Sequence, residues 1–284
     1  MIKKERVTEL EKMATQSRRD ILRMVHSAQS GHPGGSLGCI DFLTALFSEF
    51  MQRKPKEFRV DGKNQDMFFI SNGHITPALY SALARAGYFD VKELASFRKL
   101  NSRLQGHPSS HINLPGIHIA SGSLGQGASV AIGAAQAKKL NDDPCLVYVL
   151  TGDGELQEGQ NWEAFMYAGA KKVDNLILTV DYNLKQIDGP VDSVLDLGDL
   201  AAKFKAFGWT VIEGNGNNMQ VVLNILSQAK EACGKAKPVV FLMHTEMGYG
   251  VDFMMGTHKW HGTPPNDEQF TLAIAQIKET IGDY

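Results

Sequence analysis

The sequence predicts an α/β domain built on a doubly wound, mainly parallel sheet, and three observations carry that prediction. Short apolar runs bounded by turn residues occur at 67–71 (MFFIS), 145–150, 176–181 and 239–245, the pattern of strands buried on both faces. Segments with helical spacing alternate with them, which implies right-handed crossovers and a site at the carboxyl ends of the strands. The chain has 284 residues with 43% hydrophobic content, enough to bury one full core. We expect residues 1–284 to form a single domain.

The elements follow in order. Val7, Leu10, Met13, Ile21, Leu22 and Val25 recur at helical spacing, so residues 1–30 read as an N-terminal helical region ending near Ser30-Gly31. A second helix should follow Gly38. The strand at 67–71 feeds a loop at Asn72-Gly73, and the next helix carries residues 78–86. Residues 125–140 (GQGASVAIGAAQAKKL) are alanine-rich and open on glycine turns, so a helix packed closely on the sheet is expected. Beyond the third run, a helix at 200–207, a strand at 209–213 and a helix at 219–233 precede the last strand, and 266–284 read as a C-terminal helical tail. No repeat or low-complexity linker interrupts the pattern.

Composition excludes several classes. Lys plus Arg total 29 against 31 Asp plus Glu, a net charge of −2 with scattered basic residues, so nothing favours nucleic acid. No apolar run approaches the ~20 residues of a membrane span, and the charged start MIKKERVTELEKMATQ lacks a signal-peptide core, so a cytoplasmic protein is expected. Cys39, Cys145 and Cys233 are odd in number and widely spaced, which reads as reduced packing residues.

The most informative stretch runs from Gly152 to Gly189. It reads as an acidic turn (GDG), a helix, then an apolar strand ending in Asp181-Tyr182-Asn183. Asp153 and Asn183 lie 183 − 153 = 30 residues apart, the length of one strand-helix-strand unit, so both can emerge at neighbouring strand ends. Magnesium takes hard oxygen ligands and keeps positions for phosphate oxygens and water. The Asp153 carboxylate, the Asn183 amide oxygen and the backbone carbonyl of Lys185 would supply them. Gly152 and Gly154 would let the backbone approach an anion, and the helix after the turn would aim its amides at it. A lone GDG reads more readily as a plain Asp-Gly turn before a helix; the whole unit reverses that and argues for the ion.

Four of the nine histidines, His32, His74, His107 and His261, stand beside glycine and so on loops. Grouped imidazoles suit an oxygen-rich sugar, since they exchange hydrogen bonds with hydroxyls and move protons near neutral pH. His258 forms an HxxH pair with His261, but no local cysteine or acidic partner supports zinc. His26 falls within the first helix and reads as structural. His111, His118 and His244 remain unassigned.

The GDG-to-Asn183 span resembles the thiamine diphosphate signature. The ordered motifs SGHPGGSLG, SNGH, GHP, SGSLGQG and GTHKWHG make the chain similar to transketolases over about residues 10–265. The resemblance implies the thiamine diphosphate-binding fold and thiamine diphosphate held through Mg2+ (or Ca2+ or Mn2+) by Asp153, Asn183 and Lys185. It places Gly122, Ser123, Leu124, Gly154 and Met247 against the cofactor, with Ser123 where the family commonly has proline and Met247 where it often has isoleucine. His74 and His261 would touch the diphosphate, His32 and His261 would handle the sugar's oxygens and the hydroxyl proton, and His107 would bind the donor's first hydroxyl.

Full-length transketolases carry a pyrimidine-binding domain downstream that this sequence lacks. The resemblance therefore implies the N-terminal subunit of a split transketolase that works on sugar phosphates. It would be active with a separately encoded C-terminal subunit, in a heterotetramer serving the pentose phosphate pathway or a specialised sugar-degradation route. Two alternatives stand beside it. One is another thiamine diphosphate enzyme, such as a 2-oxo acid dehydrogenase alpha subunit or a deoxyxylulose phosphate synthase; the other is a non-catalytic cofactor-binding module.

Overall fold

The computed structural model describes residues 2–284. Its centre is a five-stranded, wholly parallel sheet of β1 (Met67–Ile70), β2 (Val147–Gly152), β3 (Leu176–Tyr182), β6 (Thr210–Asn215) and β7 (Val239–His244), in spatial order β1-β2-β3-β7-β6. Side chains alternate between two cores, as the two-residue period of a strand requires. Phe68, Ile70, Tyr148, Leu150, Phe241 and Met243 face one core. That core also takes residues from α1 (Lys4–Ala28), α2 (Pro33–Ala45), α3 (Thr76–Arg85) and α8 (Met219–Ala232). Phe69, Val147, Val149, Leu178, Val180 and Leu242 face the other core, shared with α4 (Gly127–Leu140), α5 (Gly159–Ala170) and α7 (Leu200–Ala206). Burial on both faces is why these strands read as continuous apolar runs.

The structure departs from the sequence reading at several elements. The second helix begins at Pro33, not after Gly38, and every one of its residues is buried. Its glycines serve close approach: a Cβ on Gly34 would lie 2.6 Å from Met247 Cγ and 2.8 Å from the Trp260 carbonyl. The GDG turn is followed by a 3₁₀ turn at Gly154–Gln157, and α5 starts only at Gly159. The hairpin of β4 (Lys185–Gln186) and β5 (Gly189–Pro190), and the short α6 (Val191–Leu195), have no counterpart in the sequence reading, being too brief to show a period.

The last helix, α9 (Asp267–Gln276), opens on a capping box formed by Asn266 and Gln269, and residues 277–284 are not helical, against the expectation of a helical tail. Arg19 of α1 donates to the carbonyls of Ile274 and Ile277 and pairs with Asp283 at 2.7 Å, so the helix's last acceptors are met from outside and the chain turns away. All three cysteines are free, with Cys39 and Cys145 buried. Among the described residues, no helix is long and apolar enough to cross a membrane.

Candidate functional site

The site lies at the carboxyl edge of the sheet because two neighbouring parallel strands end there. Gly152 of β2 stands in register with Asp181 of β3, so Asp153 and Asn183 leave adjacent strand ends. Asp153 is 1% exposed; its Oδ1 accepts from Gly154 N at 2.8 Å and its Oδ2 accepts from Leu184 N. The Asn183 carboxamide is fixed from both sides. Its Nδ2 donates to Asp181 Oδ2 at 2.8 Å, and its Oδ1 accepts from Lys185 N at 2.9 Å. Asp181 in turn accepts from the Thr245 hydroxyl.

The 3₁₀ turn after Asp153 has a local cause. Glu155, 3% exposed, folds its carboxylate inward to accept from Ser71 Oγ, from Gly125 N at 2.8 Å and from Gly152 N at 3.1 Å. The carboxylate thereby joins the end of β1, the SGSLGQG turn and the GDG turn. Regular helix directly after Gly154 is displaced, and α5 begins only at Gly159.

These elements enclose a cavity of about 370 Å³, within the range of small-ligand sites. Its wall includes Asp153, Glu155, Glu158, Asp181 and Asp188 against one cation, Lys185, which is already paired with Glu246 at 3.1 Å. Burial, and then the neighbouring Asp181 carboxylate, push the Asp153 carboxyl up to about 7. Burial also raises Asp181 and Glu155. An anion would enter such a wall only together with a positive ion. Among the described residues no group of three or more His, Cys, Asp or Glu side chains could hold a metal. The Asp153 carboxylate and the Asn183 carboxamide oxygen are hard oxygen donors of the kind magnesium takes in the company of phosphate oxygens. Unpartnered buried atoms on the same wall, His32 Nδ1, His261 Nδ1, Asn72 Oδ1 and Gln186 Oε1, also fit an absent polar ligand.

Three of the glycine-flanked histidines meet in this cavity. The His32 ring lies 4.9 Å from that of His74 and 5.6 Å from that of His261, and the His74 and His261 rings are 5.1 Å apart. Burial, with the neighbouring imidazoles adding to it, lowers His32 to about 4 and takes His74 well below its usual value. Burial lowers His261 as well. All three are therefore neutral at physiological pH, each with a ring nitrogen free to accept a hydrogen bond. A hydrogen bond from Gly34 N to the Trp260 carbonyl, 3.0 Å, sets the His261 loop over the start of α2.

The remaining sequence candidates divide. Gly122, Leu124, Gly154, Lys185 and Met247 line the cavity. His107 is exposed and off the wall, packed so closely on the Gly122 backbone that a Cβ there would lie 2.5 Å from its Cδ2. Ser123 is also exposed and outside the lining. His258 supports His261 through its carbonyl, which accepts from His261 N at 2.9 Å. His26 stacks on Phe270 at 4.1 Å and bonds Asp267. His118 packs beside Phe58 and Phe69, and His244 lies against Tyr182. Sequence reasoning passes over Asn72, Glu155 and Asp181, although Asn72 sits inside the SNGH motif. A second hollow of about 360 Å³ beside Met67 is a poorer candidate, since its Lys138 and Asp143 pair with each other at 2.9 Å.

Comparison with known proteins gives the same direction. The family model described as transketolase, thiamine diphosphate binding domain, matches residues 10–282. The chain is 36% identical over 278 residues to an apulose-4-phosphate transketolase subunit of Phocaeicola vulgatus, covering 97% of this chain and 96% of that one. It is likewise 36% identical to the 6-deoxy-6-sulfo-D-fructose transketolase subunit SqwG of a Clostridium species, covering 97% and 98%. The solved transketolase of Leishmania mexicana superposes with a TM-score of 0.87 at 31% identity, over 96% of this chain and 42% of that one. The chain thus spans nearly the whole of the subunit relatives and about two fifths of the solved enzyme.

Proposed function

Given that the chain belongs to the family of transketolase thiamine diphosphate-binding domains, we propose that it is the N-terminal subunit of a two-chain transketolase. It moves a two-carbon ketol unit from a ketose phosphate to an aldose phosphate together with a separately encoded C-terminal subunit. The observation that carries this reading is the convergence of Asp153 and Asn183, from adjacent strand ends, with three neutral histidines in one cavity. The two relatives named as transketolase subunits, each matched over nearly its whole length, support the two-chain arrangement.

When bound, thiamine diphosphate supplies the nucleophilic carbon and the electron sink of the reaction. Asp153, the Asn183 amide oxygen and the Lys185 carbonyl would hold Mg2+, or Ca2+ or Mn2+ in its place. Gly122, Leu124 and Gly154 lie on the wall that would receive the diphosphate, with Met247 beneath α2 and His74 alongside. His32 and His261, whose rings burial keeps uncharged, would handle the sugar's oxygens and the hydroxyl proton whose loss accompanies carbon-carbon cleavage. His107 and Ser123, off the wall in the chain alone, would face the sugar and cofactor only where a partner closes over the Gly122 turn.

The assembly expected is a heterotetramer, the compartment the cytoplasm, and the route pentose phosphate metabolism or a specialised sugar degradation. The test is turnover of xylulose 5-phosphate plus ribose 5-phosphate. The purified chain alone should give negligible rates, and addition of the partner with thiamine diphosphate and magnesium should restore them. Equal rates without any partner would refute the two-chain reading.

A further inference from the structure

The end of β1 carries a residue with unmet hydrogen-bonding capacity. Asn72 is 2% exposed and lines the candidate cavity, yet its Oδ1 is buried without a partner. Its side chain does not cap the 3₁₀ turn Gly73–Ile75 that follows. The backbone explains why the side chain stays where it is. Ser71, immediately before it, donates to Glu155 and accepts from Gly127 N at 3.1 Å. Gly73, immediately after it, lies so close to the SGSLGQG turn that a Cβ there would be 2.6 Å from Ser121 Oγ and 2.8 Å from Gly122 N. Asn72 is thus clamped between two fixed neighbours, and its Nδ2 faces Gly152: a Cβ on that glycine would lie 3.9 Å away.

A buried carboxamide with no partner weakens a fold, so one held rigidly on a cavity wall is explained by a ligand that satisfies it. The position selects the ligand. Asn72 lies between the Gly122 turn and the Gly152-Asp153 turn, at the end of the cavity where the wall is acidic and the single lysine is already paired. A diphosphate arriving there with its ion needs neutral donors, because the wall offers no free cation.

We infer that Asn72 is a further cofactor-binding residue. Its Nδ2 donates to a diphosphate oxygen, and its Oδ1 accepts from a water on the accompanying divalent ion. This rests on the proposed function, in which the cavity takes thiamine diphosphate with magnesium.

The experiment pairs affinity with apo stability in the full chain. Thiamine diphosphate is titrated into wild type, Asn72→Ala and Asn72→Leu at fixed excess magnesium, followed by calorimetry, and the melting temperature of each is measured without cofactor. A hydrogen bond to a charged acceptor predicts a ten- to hundredfold weaker Kd in both variants. Because the amide is unpaired in the empty chain, Asn72→Leu should melt at or above the wild-type temperature. A variant Kd equal to wild type overturns the inference and leaves the cofactor reading intact. A lower apo melting temperature with unchanged Kd assigns Asn72 to the fold and also overturns it. A wild-type chain that takes up no thiamine diphosphate with magnesium, alone or with the partner subunit added, removes the reading itself, and the inference with it.

Discussion

Replacing Asp153 with asparagine separates the electrostatic cost of this carboxylate from its role as a ligand. In the empty chain the carboxyl is pushed up to about 7, by burial first and by Asp181 second, against 3.8 for an ordinary aspartate. The sign follows from proton linkage. Between pH 5 and pH 7 the unfolded chain carries this group ionised while the native chain keeps it largely protonated, so native stability falls as pH rises. Each pH unit well inside that window removes about 1.4 kcal/mol. Allowing for half-ionisation at the upper end, the loss from pH 5 to pH 7 is about 2 kcal/mol, or roughly 4 °C in melting temperature for a chain of this size.

Asp153→Asn abolishes that component. The substitution also costs about 1–3 kcal/mol at every pH, because one carboxamide oxygen cannot accept from both Gly154 N and Leu184 N. The assay is thermal unfolding of both proteins from pH 5 to pH 8, with and without magnesium and thiamine diphosphate. Without ligand, the wild type should lose about 4 °C more than the variant between pH 5 and pH 7. With ligand at pH 8, only the wild type should be strongly stabilised. A wild type whose pH slope matches the variant's, or a variant stabilised equally by magnesium, would refute the reasoning.

Further expectations concern the histidines, the packing and the acid limb. His261→Ala, assayed with the partner chain, should lower kcat by about 10²–10⁴-fold while leaving the melting temperature nearly unchanged, since the ring's Nδ1 has no partner in the empty chain. Gly34→Ala should destabilise by about 1–3 kcal/mol and impair turnover, because the added methyl meets Met247 and the Trp260 carbonyl and pushes away the loop that carries His261; circular-dichroism melts and kcat check both parts. Ketol transfer at limiting magnesium should fail on the acid side near pH 7, where Asp153 protonates, and saturating magnesium should move that limb downward, because the cation favours the ionised carboxylate. A limb that ignores magnesium would instead point to a group other than Asp153. His32, held at about 4, should not set it.

The alternation of buried strands and helices was legible because both faces of this sheet are covered, which writes each strand as an unbroken apolar run. The Asp153 and Asn183 pairing was legible from spacing, since one strand-helix-strand unit has a narrow range of lengths. What failed to show was governed by contacts distant in sequence. The sequence reading starts the second helix after Gly38, yet Gly34 and Gly35 lie within α2, where Met247, Ile75 and the Trp260 carbonyl leave no room for a side chain. The 3₁₀ turn after Asp153 follows from Glu155 reaching Ser71 and Gly125, and no local pattern announces that. The end of α9 depends on Arg19, more than 250 residues earlier. His107 and Ser123 carried motif signals as strong as those of His74 and Gly122, yet they lie outside the wall, since a motif does not encode which side of a loop faces the cavity.

The most direct measurement is anomalous scattering from crystals of the chain grown with manganese and thiamine diphosphate. One manganese peak should stand among the Asp153 carboxylate, the Asn183 amide oxygen and the Lys185 carbonyl, with diphosphate oxygens completing its shell. Cofactor bound with no metal at those three groups, or manganese bound elsewhere with these side chains still turned to Leu184 and Asp181, would contradict the account.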